Sequence, residues 1–124
     1  MRFLLDTHVL LWALAAPSKL PVRFRRELDA AFVFVSAASI WEVAIKAALG
    51  KIEADPAEVL DAVEPAGFEL LAVSGAHAAR VATLPLLHRD PFDRLLVAQA
   101  LCEPLVLVTN DRAVLPYGDF VRMP

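Results

Sequence analysis

Four carboxylates fall where their chemistry can be pooled. Asp6 closes the apolar run Phe3-Leu4-Leu5, and Asp111 follows the run Leu105–Val108 through Thr109-Asn110. Glu42 falls just inside the helix expected after the run Phe32–Val35. Asp93 lies in the first turn of the helix opened by Asp90-Pro91. Acids brought together without a cation raise one another's pKa values, so such a set calls for positive charge. Oxygen donors with no Cys or His among them suit a hard divalent ion, Mg²⁺ or Mn²⁺. An ion of that kind activates water and stabilises charge developing on a phosphoryl oxygen. The pattern points to metal-assisted phosphodiester hydrolysis. No Walker-type Gly-rich loop and no Ser-His-Asp or Cys-His arrangement competes with it.

Each acid also has a plain structural use. Asp90 is placed to cap a helix with Pro91 at its first position and Asp93 in its first turn. Asp55-Pro56-Ala57-Glu58 follows the same grammar and only starts a helix. Asp6 or Thr7 would cap the next helix, with His8 as a first-turn residue rather than a ligand. Glu42 precedes Lys46 by one helical turn, in the favourable order for an exposed ion pair. What separates the four is shared placement. In a parallel sheet, strand C-termini and the following helix N-termini lie along one edge, where ligands bind.

The elements that must position these acids alternate. Strands are expected at Phe3–Leu5, Phe32–Val35, Phe68–Val73, Leu105–Val108 and Phe120–Arg122. Helices are expected at Val9–Ala15, Val22–Ala31, Ala37–Leu49 (stopped by Gly50), Asp55–Val63, Gly75–Leu84 and from Pro91 onward. The runs are apolar on successive residues, as strands covered on both faces are. This is an α/β chain with a mainly parallel sheet, and residues 1–124 read as one domain without a linker or repeat. Arg23, Arg25 and Arg26 read as a solvated face, with RNA contact as the minor alternative. His77 and Arg80 read as surface residues.

Hydrophobic residues make up 58% and charged residues 22% of the chain, with a net charge of −3. That balance excludes disorder and a simple basic nucleic-acid-binding module, but leaves room for a nuclease whose acids are neutralised by metal. The single cysteine, Cys102, reads as core, and one cysteine forms no internal disulfide, which fits a reducing, cytoplasmic setting. No signal peptide or membrane span is expected.

The stretches Leu4–Trp12 (LLDTHVLLW), Ser36–Lys51, His88–Ala100 (HRDPFDRLLVAQA) and Leu107–Asp111 resemble PIN domains, and more narrowly VapC toxins of toxin–antitoxin pairs. The resemblance implies a three-layer α/β/α fold and an Mg²⁺- or Mn²⁺-dependent ribonuclease acting on single-stranded or structured RNA. It also implies a homodimer and a cognate VapB-like antitoxin. By position, the family's acids are Asp6, Glu42, Asp93 and Asp111, with Thr7 and Thr109 as supporting hydroxyls. Asp90 reads as the N-cap beside them. Lys46, Arg89, Arg94 and Arg112, each near one of the acids in sequence, are the candidates for RNA contact. Trp12, Leu20 and Phe24 are the candidates for apolar surface that a partner helix covers. Two other classes remain: a catalytically inactive PIN-fold interaction module, and an Mg²⁺-binding receiver-like domain. A receiver would want an acidic pair after the first strand, where Asp6 stands alone.

Overall fold

The apolar runs form the sheet. The computed structural model describes residues 1–124. In it, β1 (Arg2–Leu5), β2 (Phe32–Ser36), β3 (Glu69–Leu71), β4 (Val106–Val108) and β5 (Val121–Arg122) are ordered β3-β2-β1-β4-β5. Every pairing is parallel. The chain winds from β1 through β2 to β3, then returns to add β4 and β5 on the other side of β1. That reversal leaves a crevice at the C-terminal ends of β1 and β4.

Six α-helices cover the two faces, making three layers. Alternate residues of β1 point opposite ways, Phe3 and Leu5 into one apolar cluster and Leu4 into the other. The first cluster takes Val9 and Leu10 of α1 (Thr7–Ala15), Phe24 of α2 (Val22–Ala30), Val43 of α3 (Ala37–Ala48) and Val59 and Val63 of α4 (Pro56–Val63). The second takes Leu96, Val97, Ala98 and Ala100 of α6 (Pro91–Cys102), which packs beside α5 (Gly75–Arg80). Three 3₁₀ turns complete the chain, at Pro17–Lys19, Val81–Thr83 and Arg112–Tyr117. No helix is long and apolar enough to cross a membrane.

The capping residues follow the sequence closely. Asp6, Ser36, Asp55 and Asp90 each accept a backbone N–H from the first turn of the helix they precede. Gly50, past the end of α3, has a φ of 70°, the left-handed conformation that ends a helix without a Cβ clash.

Several expectations are corrected. The third strand is shorter than Phe68–Val73, because β3 is an edge strand paired only with β2, and Glu69 and Leu70 are exposed. The helix begun at Gly75 tightens into a 3₁₀ turn after Arg80, and Pro85 bars Leu84 from continuing it. Leu20 and Phe24 offer no partner surface: both are buried, and the Phe24 ring lies 5.8 Å from that of Phe3. Trp12 is partly buried against the same cluster. The exposed apolar residues lie elsewhere, among them Trp41 and Ile45 on α3 and Leu49 at its C-cap, each four residues from the next.

His77 is buried rather than a surface residue. Its Nδ1 accepts the Ser74 N–H at 3.0 Å, which directs the ring hydrogen at Nε2 toward Glu103 Oε2, 2.7 Å away. Gln99 Nε2 lies 3.3 Å from the same Nδ1. His77→Ala therefore leaves a small void and strips buried groups of partners. It is expected to cost about 2–4 kcal/mol in denaturant unfolding, and a loss below about 1 kcal/mol would show that this network holds little.

Candidate active site

Asp6 is fixed by the strand pairing. Its backbone N–H donates to the Val108 carbonyl at 2.9 Å, extending the β1–β4 ladder by one residue. Its carboxylate therefore meets the end of β4: Oδ2 accepts from Thr109 Oγ1 at 2.7 Å and from the Asn110 N–H at 2.9 Å. Oδ1 accepts the Val9 N–H at 2.8 Å. Burial raises the Asp6 pKa, and these donors only partly oppose that. Thr109 Oγ1 also accepts the Asp111 N–H at 3.0 Å, so one hydroxyl positions two acids.

Glu42 is held from both sides. Thr7 Oγ1 donates to Oε1 at 2.5 Å, and Lys46 Nζ lies 2.6 Å from Oε2. The helical pair seen in the sequence thus forms with a buried carboxylate, and Glu42 holds the Lys46 pKa above its usual range.

Asp93 enters from the first turn of α6, where Asp90 Oδ1 accepts the N–H groups of Phe92 and Asp93. Burial, and then the charge of Asp90, push the Asp93 carboxyl up to about 6, against a hydrogen bond from His88 that favours its ionised form. Asp111 is the most open of the four acids; its Oδ1 accepts the Ala113 N–H at 2.9 Å.

All four acids face one cavity of about 320 Å³ with no hydrophobic residue in its lining. Thr7, His8, Lys46, Asp90 and Asn110 complete that lining. Five carboxylates thus face one ammonium, an arrangement that favours cation binding. The donor set fits a divalent ion: carboxylates from four parts of the fold line the cavity, and burial holds Asp6 and Asp93 above the ordinary carboxylate pKa, so oxygen donors stand ready for a hard cation. Asp6, Asp93, Asp111 and Glu42 are the lining carboxylates that could hold it.

The basic candidates fare unequally. Lys46 lines the cavity, whereas Arg89, Arg94 and Arg112 do not. Arg94 is engaged elsewhere: its guanidinium donates to the Pro85 and Val81 carbonyls and to Tyr117 Oη, tying the connection before α6 to the 3₁₀ turn after β4. That engagement makes it a brace. Arg89 and Arg112 are exposed, each one residue from a lining acid, and stay outside the lining.

Two contributors escaped the sequence reading. His8 does lie in the first turn of α1, and that turn borders the cavity. His88 places Nε2 2.9 Å from Asp93 Oδ2 and 3.1 Å from Asp111 Oδ2, so the acids are not surrounded by oxygen alone. The signal for His88 was its position two residues before the cap of α6, at the head of the stretch His88–Ala100.

A sequence profile of the PIN domain family matches residues 3–117. No curated protein matches the chain in sequence. Among solved structures, VapBC2 from Rickettsia felis, bound to a DNA fragment from its promoter, superposes with a TM-score of 0.71 at 18% identity, covering 100% of this chain and 98% of that one. DNA-bound VapBC from Salmonella typhimurium gives 0.67 at 18% identity, covering 100% and 97%. PAE2754 from Pyrobaculum aerophilum gives 0.58 at 23% identity, covering 99% and 92%.

Proposed function

The chain belongs to the PIN domain family, a family of nucleases, and from that premise we propose that it is a divalent-metal-dependent endoribonuclease, the VapC-type toxin of a toxin–antitoxin pair. The observation that carries this reading is the convergence of Asp6, Glu42, Asp93 and Asp111 on one polar cavity at the sheet's switch point. A bound Mg²⁺ or Mn²⁺ would supply an activated water and offset charge on the phosphoryl oxygens. The protein's part is to hold the carboxylates in place before substrate arrives. Thr109 and the Asn110 N–H keep Asp6 from turning, and Thr7 and Lys46 keep Glu42 from turning. Lys46 also places a positive charge beside the cavity, where a phosphate group of RNA would need one.

A cognate VapB-like antitoxin and a homodimer belong to the same proposal. The solved VapBC complexes that share the fold support the first. The exposed stripe of Trp41, Ile45 and Leu49 supports the second, since apolar residues at this spacing on one helix face favour a partner surface.

The test is incubation of the purified chain with single-stranded RNA. Cleavage is expected with Mg²⁺ or Mn²⁺ and none with a chelator. Glu58→Gln supplies the comparison, because Glu58 stands in the first turn of α4 just as Asp93 stands in that of α6, yet lies outside the cavity. Its cleavage rate is expected to match wild type. Absence of cleavage with either ion would favour an inactive interaction module, and a large loss in Glu58→Gln would place the chemistry elsewhere.

A further inference from the structure

His88 lies in the connection between the turn at Val81–Thr83 and α6. Its Nε2 meets one carboxylate oxygen from the first turn of α6 and one from beyond β4, at 2.9 and 3.1 Å. The donor atoms of His88, Asp93 and Asp111 lie within 4.8 Å of one another. A single hydrogen on Nε2 cannot point squarely at both oxygens, so two carboxylates share one weakened donor. A divalent ion resolves that conflict. Neighbouring ligand atoms on an octahedral ion with bonds of about 2.1 Å sit about 3 Å apart, the spacing already present between Nε2 and each oxygen.

We propose that His88 is a nitrogen ligand of the divalent ion, sharing it with Asp93 and Asp111. The inference rests on the metal-dependent reading above. On binding, the ring is the neutral imidazole with its hydrogen on Nδ1: the Nε2 hydrogen leaves to solvent as a proton, Nδ1 takes one from solvent if it carried none, and the Nε2 lone pair turns to the ion. The ring changes the chemistry of the site. An imidazole among carboxylates favours Mn²⁺ over Mg²⁺, because Mg²⁺ prefers oxygen and holds its water more tightly. His8 also borders the cavity, but it is not among the three donors drawn together.

The test is pulsed electron paramagnetic resonance on the full chain loaded with Mn²⁺, which reads nitrogen hyperfine coupling to the bound ion directly. Wild type is expected to show coupling from one imidazole. His88→Gln is expected to lose that coupling while still binding Mn²⁺ through the acids, and His8→Gln to retain it. Bound Mn²⁺ without nitrogen coupling in wild type would overturn the assignment of His88 and leave the acidic site standing. Coupling that survives His88→Gln would overturn it too, and if it vanished in His8→Gln the ligand would be that residue. A spectrum of free aqueous Mn²⁺ only would overturn both the ligand and the metal-dependent reading. Absence of nitrogen coupling in wild type decides against His88 whether or not the variants fold, and the two variants then assign any coupling seen to one ring.

Discussion

Asp93→Asn is expected to lower RNA cleavage by on the order of 10²–10³-fold or more, the scale seen when one well-placed group that stabilises transition-state charge is removed, while the fold is kept. The amide has nearly the shape of the carboxylate, and the only hydrogen bond its side chain gives up is the one with His88. The helix is unaffected, since Asp90 is the residue that caps α6. Circular dichroism and a cleavage time course on the same preparation check the two halves of the statement. A folded variant that cuts RNA at the wild-type rate would reduce Asp93 to a first-turn acid. Asp6→Asn is a harsher change, because an amide nitrogen at Oδ2 would face the Asn110 N–H, donor against donor. Loss of activity there comes with some loss of stability.

The second large effect is on stability and runs opposite to activity. The Asp93 carboxyl titrates near 3.8 when unperturbed and at about 6 in the fold, raised first by burial and then by Asp90. Its folded pKa is raised, so between those values the native state binds more protons than the unfolded chain. Stability of the metal-free protein must therefore fall as pH rises through this window. The full penalty from this one group, above about pH 6, is at most roughly 3 kcal/mol. Burial shifts Asp6 in the same direction and adds to the trend. Chelated wild type is expected to unfold more readily at neutral pH than near pH 5, roughly the middle of that window. Added Mn²⁺ should restore stability by mass action, by about 2.7 kcal/mol at a hundredfold excess over Kd. Asp93→Asn should be the more stable protein at neutral pH without metal, and its pH dependence should be flatter. Denaturant titrations across this range decide it, and a chelated wild type that gains stability with pH would contradict the account.

These two effects share one origin, which explains what the sequence could reveal. Strand ends and helix starts carry local signals: apolar runs that stop at Asp6 and Thr109, and caps at Ser36 and Asp90. Once those elements lie in a parallel sheet, topology alone brings Asp6, Glu42, Asp93 and Asp111 to one edge. Contacts between distant segments carry no such signal. His88 meets Asp111 only because the loop before α6 folds over the end of β4. His77 looked solvated because Gly75–Arg80 is a short, weakly patterned helix, yet α6 covers it with Gln99. Phe24 lies among arginines in sequence, and its side chain still fills the space beneath Phe3. Arg122 stacks over both rings and pairs with Glu27, a contact that no local pattern announces.

The proposed activity requires a divalent ion held by the acids and RNA as its substrate. The most direct measurement follows cleavage of an end-labelled single-stranded RNA by the chelated protein as Mn²⁺ is added back, with Asp93→Asn run in parallel. The account predicts no cutting without the ion, internal cutting that saturates as Mn²⁺ rises, and almost none in the variant at any concentration. Cutting that persists under chelation, or that Mn²⁺ restores equally in Asp93→Asn, would contradict it.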